Sequence, residues 1–325
     1  MISLDVLGLG VVLPGADKPA DARTVTAAPA PGWFDVVTAL TGRGYRRLPT
    51  ACQYLLAATR SALDDAGDAP DAVPAERRGV VVGTNNAGMA LMEEQDRSIL
   101  EEGADAITPI TAPYFAMSLF ASRLAVEHTV HGFTLTTNSP RTAGFDALQA
   151  GARALARGRA DVLVVGATED ELPRPEPGAD GSDIGAVALV CAPSAEGINN
   201  PSAYGSCRIR NAFLAPGAAP ADALDDAWAA LTADGPLPRH VDAVLDDSAT
   251  GRAVADWLAG KAGTVSITPA GAGCLSPMRH LVARLATGDD GPEHVVVTAA
   301  AEGNVAFARL TTLPHNHPQQ HGSWQ

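Results

Sequence analysis

The sequence predicts an α/β fold in which sheets are covered by helices. Three observations carry this. Short β-branched runs alternate with Ala-rich stretches of helical length along the chain, the pattern of a layered α/β protein. Two of the runs, VLVVGA (162–167) and HVVVTAA (294–300), are continuously apolar, as strands buried on both faces must be. The stretch RTAGFDALQAGARALAR (141–157) carries Ala and Gly on nearly every face, which lets a helix pass through a crowded interior between two sheets.

In chain order, strands are predicted at 3–7, 79–83, 133–137, 161–166, 185–191, 241–245, 264–267 and 294–299. Helices are predicted at 49–66, 88–102, 114–127, 141–157, 220–232, 250–259 and 276–286. The stretch ATEDELPRPEPGADGSDI (167–184) reads as a Pro/Gly/acid loop between two buried strands, and 192–219 reads as irregular. These divide the chain into an N-terminal half, 1–180, and a C-terminal half, 181–314, each ending in an Ala-rich helix followed by an apolar strand. The tail 315–325 has no apolar period and is expected to be flexible.

Composition excludes several functions. With 46% hydrophobic and 18% charged residues in 325, the chain can bury a large core. There is no run of 18 or more apolar residues, so no membrane span is expected. A net charge of −14 repels nucleic acid and anionic lipid. Cys52, Cys191, Cys207 and Cys274 form no CxxC pair, which argues against a zinc ribbon or a disulfide framework and for a reducing cytoplasm. The N-terminus lacks a basic n-region and a cleavage site, so no signal peptide is expected. No cofactor and no metal are expected.

Three weak motifs have plainer explanations. GLGVVLPG (8–15) follows a strand but lacks the third glycine of a dinucleotide fingerprint, and a tight turn at the strand end accounts for it. His315, His317 and His321 lie in a Pro/Gln-rich tail without a carboxylate or thiol partner. Glu169, Asp170 and Glu171 sit at a strand end, where a solvated loop is the default and acid/base work would need a fixed geometry.

The informative segment is 133–167, FTLTTNSPRTAGFDALQAGARALARGRADVLVVGA. It reads as strand, sharp turn, long small-residue helix, buried strand. A side chain at that turn, here Ser139, would face the helix N-terminus, where the dipole can activate a nucleophile or hold an anion. The segment resembles the nucleophile elbow of the β-ketoacyl synthases, members of the thiolase fold. Further segments resemble that family in order: RGYRRLPTACQYLLAATRSALDDAG (43–67), GVVVGTNNAG (79–88), DGSDIGAVALVCAPS (180–194), VDAVLDDSATG (241–251) and SITPAGAGCLSPMRHLVARLATG (266–288). The resemblance implies two similar halves in an α-β-α-β-α layered arrangement.

It also implies a site from which the chemistry has gone. Laid residue by residue, the family's catalytic cysteine falls on Ser139, its first histidine on Asp247 and its second near Ala272, with Thr268 or Pro269 where a lysine belongs. AAAEGNVAF (299–307) replaces the oxyanion loop. A condensing enzyme needs the thiolate and the imidazoles, so no catalytic residue is expected. Such a chain is most similar to the chain-length factor, or ketosynthase-β subunit, of type II polyketide synthases, although that branch usually has glutamine where Ser139 stands.

The resemblance then implies a heterodimer with an active ketosynthase (α) subunit, and an acyl carrier protein that delivers the chain mainly through that partner. The helix after GTNNAG would carry a gate to the acyl tunnel. Met89, Met92 and Asp96 recur at i, i+3, i+7, with Phe115 as a candidate for the opposite wall. Ordinary core packing explains the methionines equally well. An enzymatic alternative stays open, in which Ser139 serves as an acyltransferase or thioesterase nucleophile with His128, His131 or His280 as base. A homodimeric acyl-binding protein without chemistry is the third reading.

Overall fold

The computed structural model describes residues 3–24, 29–42, 44–107, 112–174, 181–194, 203–215, 220–288 and 293–313. Its strands are β1 (Leu4–Val12), β2 (Arg78–Thr84), β3 (Thr134–Asn138), β4 (Val162–Glu169), β5 (Gly185–Pro193), β6 (Gly205–Phe213), β7 (His240–Leu245), β8 (Thr264–Pro269), β9 (Glu293–Ala299) and β10 (Asn304–Thr312). Its helices are α1 (Val36–Ala39), α2 (Thr50–Ala66), α3 (Met89–Glu102), α4 (Ser118–Glu127), α5 (Ala143–Ala156), α6 (Pro220–Thr232), α7 (Ala249–Leu258) and α8 (Leu275–Thr287).

The strands are hydrogen-bonded in the order β3-β2-β4-β5-β1-β6-β10-β9-β7-β8. Taken outward from the centre, β1-β5-β4-β2-β3 and β6-β10-β9-β7-β8 are the same arrangement used twice. In each, three outer strands run parallel and the two nearest the centre are antiparallel to their neighbours. Antiparallel pairing of β1 with β6 joins the halves.

Alternation along the strands decides the layers, because successive side chains leave opposite faces. Val81, Val165 and Leu189 face inward and meet Val296 and Ala308 of the other half around Phe145 and Leu148 of α5 and Met278 and Leu281 of α8. Val80, Val164 and Ala188 face outward under α2 and α4, against Leu55, Ala58 and Leu124. Val241, Val297 and Phe307 lie under α6 and α7, against Leu224, Trp228 and Val254. The result is α-β-α-β-α, with two small-residue helices between the sheet halves.

The structure departs from the sequence-based expectations in four places. Strand β1 continues to Val12 instead of stopping at residue 7. Its GLG motif lies mid-strand because α2 packs on it there: a Cβ on Gly8 or Gly10 would be driven into the carbonyls of Ala62 or Ala58. This close approach, and not a turn, is why glycine is needed. Strand β6 occupies part of the stretch expected to be irregular; its inward Gly205, Cys207 and Ile209 alternate with more exposed Ser206, Arg208 and Arg210. Strand β10 had no counterpart among the predicted strands. Finally, β5 belongs by pairing to the first five strands, so the boundary between halves falls between β5 and β6 and not at 180. The tail 315–325 lies outside the described residues. Among the described residues no helix is long and apolar enough to cross a membrane.

The parallel strands of each half point their C-terminal ends toward the starts of α5 and α8. The crevice beyond such ends is where α/β proteins build sites. The edge strand β3 leaves Thr134, Leu135 and Asn138 exposed.

Candidate functional site

The turn between β3 and α5 spans Ser139 to Thr142. Ser139 Oγ donates to Asp146 Oδ2 and lies 3.2 Å from Thr142 Oγ1. Thr142 Oγ1 donates to the same oxygen at 2.9 Å, and Asn211 Nδ2 of β6 donates to Asp146 Oδ1. Asp146 sits in the first turn of α5, where a carboxylate is favoured by the helix dipole. Ser139 is thus tied back along the helix.

The strained residue of the turn is Arg141, with φ of 57°. A non-glycine residue held at positive φ between a strand and a helix is the geometry of a nucleophile elbow. Arg141 donates through Nη1 to the carbonyl of Gly271 and pairs through Nη2 with Asp246 Oδ2 at 2.8 Å. It therefore spans from the first half to two loops of the second, those following β7 and β8.

Asp246 is the first residue after β7 and also accepts the Ser248 N–H at 3.1 Å. Burial opposes its ionisation, but the hydrogen bonds of Ser248 and the Arg141 guanidinium outweigh it and hold the carboxyl below its ordinary range. Asp247, the predicted counterpart of the first histidine, is exposed, and its carbonyl accepts from Arg252. The strand ends at Leu245, as the sequence predicts, but the first residue beyond it, Asp246, is the one that reaches Arg141, while Asp247 faces water. Ala272 presents only backbone: its N–H donates to Gly181 O at 2.8 Å and its carbonyl accepts Asn86 Nδ2 at 3.0 Å. Next to it Cys274 is fully buried, its thiol pushed well up by burial and by the Glu169 carboxylate.

The three histidines considered as bases are elsewhere. His128 lines an outer cavity of about 750 Å³ beside Glu127 and Arg60. His131 is exposed, 3.9 Å from Glu76. His280 is buried in α8 near Asp242 and Arg284, and burial lowers its pKa to about 4. Among the described residues none hydrogen-bonds to Ser139.

The family model for the β-ketoacyl synthase N-terminal domain matches residues 32–187. The chain is β-ketoacyl synthase-like. The 3-oxoacyl-(acyl-carrier-protein) synthase 2 of Vibrio cholerae is 27% identical over 136 residues, 42% of this chain and 33% of that protein. The chloroplastic 3-oxoacyl-(acyl-carrier-protein) synthase I of Arabidopsis thaliana is 27% identical over 133 residues, 40% of this chain and 28% of that one. The matched part thus spans about a third of these curated relatives' length. Among solved structures, a type II polyketide synthase acyl-carrier protein in complex with its ketosynthase bound to the hexaketide contributes a chain with TM-score 0.77 at 15% identity, covering 96% of this chain and 99% of that one. The ishigamide ketosynthase/chain length factor matches with TM-score 0.75 at 20% identity, covering 96% and 100%. At these identities the likeness is one of fold, the thiolase fold of ketosynthases.

Within this ketosynthase-like frame the helix expected to carry a gate is α3. Met89 and Met92 are half-buried, and a Cβ on Gly88 would meet Met117 Cε, with Met92 Cε at 3.7 Å. Met92 and Met117 thus converge at the helix root. Asp96 is exposed, and Phe115 is 38% exposed. Helical spacing placed Asp96 with Met89 and Met92, but α3 leaves the body of the protein after its first turns and buries only Gln95. The carboxylate stays in water, as its desolvation cost favours.

Sequence reasoning missed Arg141, Asp246, Asp146 and Asn211. One signal was available: an arginine two residues past Ser139, entering an otherwise small-residue helix, has no packing reason to be there.

Proposed function

We propose that this chain is a catalytically silent chain-length factor that pairs with an active ketosynthase and shapes the acyl tunnel during type II polyketide elongation. The observation that carries this reading is Arg141. The elbow position, where a ketosynthase-like fold would present a nucleophile, holds a guanidinium with no lone pair to offer and a permanent charge. It is also engaged with Asp246 and Gly271. The likeness of fold to a ketosynthase/chain length factor and to a ketosynthase seen with its acyl-carrier protein supports the pairing and the carrier protein as partners.

A second reading keeps Ser139 as an acyltransferase or thioesterase nucleophile. What favours it is the Asp146 carboxylate, which accepts the Ser139 hydroxyl. That carboxylate is shared with Thr142 and Asn211, and among the described residues no imidazole that would carry a proton to a leaving group joins the cluster.

The deciding experiment incubates the chain with an acyl-loaded carrier protein, alone and with a ketosynthase, and follows protein mass and product. The expected outcome is no adduct on the isolated chain, a stable complex with the ketosynthase, and product that depends on the partner's cysteine. An acyl adduct on Ser139, or turnover by the isolated chain, overturns the silent reading.

A further inference from the structure

Glu169 ends β4, is fully buried, and lies outside the Arg141 cluster. Its Oε1 accepts the N–H groups of Asn85 and Cys274, each at 2.8 Å, and its Oε2 accepts the N–H of Asn86 at 2.6 Å. Thr84 Oγ1 approaches Oε2 at 3.4 Å. These amides come from two separate turns. Residues 85–88 lead from β2 into α3, and residues 270–274 lead from β8 into α8. The Asn86 side chain adds a second tie between them through the Ala272 carbonyl. Gly273 packs so closely on the Glu169 side chain that a Cβ there would displace it.

We propose that Glu169 is a positioning residue for the root of α3: its carboxylate pins the turn that launches that helix to the turn that launches α8, and so sets where Met89 and Met92 stand. That these methionines border an acyl path rests on the chain-length reading above; the tie itself does not.

The tie has two states near neutral pH. Burial pushes the Glu169 carboxyl up to about 7, against the Cys274, Asn86 and Asn85 hydrogen bonds that favour its ionised form. Among the described residues, the groups facing it do not supply a compensating cation. From the α8 turn comes the raised Cys274 thiol, and beyond it, from the segment before β5, stands Asp183, which accepts both the N–H and Oγ of Ser276 and lies 3.9 Å from Arg279 Nη1. Asp170, next in the chain, is itself raised by burial. The start of α5 brings the Gly144 N–H, directed at Cys274. Ionised, Glu169 accepts every bond described. Protonated, it must donate one, with Thr84 Oγ1 the nearest described acceptor, and its hold on the Asn86 N–H weakens.

The test uses the methionines of the isolated full chain as probes. The chain has five: Met92 and Met117 meet over Gly88 at the root of α3, which begins at Met89, and Met278 packs against Gly144 beside the α8 turn. With ¹³C-labelled methionine methyls titrated from about pH 5 to about pH 9, the Met92, Met117 and Met278 resonances are expected to move with a common midpoint near 7. Glu169→Gln is expected to abolish that movement. Methyls that do not titrate, or that titrate unchanged in Glu169→Gln, overturn the proposal. Should the variant fail to fold, glutamate carboxyl ¹³C labelling of the unmodified chain decides. A carboxyl sharing the methyl midpoint supports the tie, and carboxyls that all titrate in the ordinary range overturn it. No ketosynthase is present, so failure of the pairing reading cannot be mistaken for failure of this one.

Discussion

Arg141 Nη2 lies 2.8 Å from Asp246 Oδ2, and the two side chains are each only 19% exposed. The pair joins the β3–α5 turn of one half to the β7–α7 turn of the other. The Gly271 carbonyl satisfies a further donor of the guanidinium. Geometry of this kind offsets part of the desolvation cost of bringing two charges out of water.

Removing one partner should therefore cost more than a surface pair would. Arg141→Met is expected to destabilise by about 1–3 kcal/mol, between the exposed and fully buried limits. Adding Asp246→Asn should recover part of it, because the carboxylate left behind is the source of the loss. Urea unfolding of the four proteins gives the coupling, and strict additivity would show that the pair is idle. The Asp246 carboxyl is depressed in the folded chain, so this contribution is present above the ordinary carboxylate range and is lost as pH falls through and below it.

Arg141→Cys should not restore condensation. It places a thiol at the elbow but leaves Asp246 unpaired beside it, and an adjacent carboxylate disfavours a thiolate. Neither described neighbour offers an imidazole. The variant is expected to react slowly with iodoacetamide and to form no condensed product. Product formation by the variant without a partner ketosynthase would mean that the surrounding groups still support the chemistry.

Ser139→Ala should lower stability by about 0.5–1.5 kcal/mol, the scale of one hydrogen bond, while Asp146→Ala, which strands Ser139, Thr142 and Asn211 together, should cost about 1–3 kcal/mol. Neither should reduce product made by the reconstituted pair once folding is accounted for. A hundredfold loss with Ser139→Ala, about 2.7 kcal/mol of barrier, in a variant that still folds and pairs, would be fatal to the silent reading.

Most of the fold was legible because it is written in burial. Continuous apolar runs became β4 and β9, and the small-residue stretch became α5 between the sheet halves. Strand β6 was hidden because its outward face carries Arg208 and Arg210, and such a run resembles a loop until its neighbours are known. The site was less legible. Ser139 and Arg141 are two residues apart in the same turn, and only the backbone dihedrals show that Arg141 is the strained one. Likewise Asp246 and Asp247 are chemically identical, and only the ion pair with Arg141 tells which of them enters the crevice.

His280 provides a pH test. Burial lowers its pKa to about 4, so the folded chain resists its protonation more than the unfolded chain does. Its contribution is fully present above the ordinary imidazole range and is lost as pH falls from about 6.5 toward about 4. His280→Leu is expected to flatten this part of the stability curve, followed by denaturant midpoint at each pH. An unchanged acid limb would show that other groups, such as the neighbouring Asp242 paired with Arg284, set it.

Met92 gives the steric test of the gate. Met92 Cε would stand 3.7 Å from a Cβ on Gly88, a position already crowded by Met117. Met92→Trp is expected to shift the product of the reconstituted pair toward shorter chains, and Met92→Ala toward longer ones. Overpacking at such a point costs about 1–3 kcal/mol, so complex formation must be checked first. Identical length distributions from an intact complex would leave Met92 as ordinary core.

The twofold use of one strand order has a consequence for how the molecule comes apart. Each five-strand unit owns an outer layer, but the inner layer belongs to both, since α5 and α8 share a single apolar cluster with strands of either half. A unit released from its twin would bare that whole inner face. The halves therefore cannot melt one after the other, as beads on a string would. Heat or denaturant is expected to take them together, and calorimetry that resolved two separate transitions would show that the shared interior does not couple them.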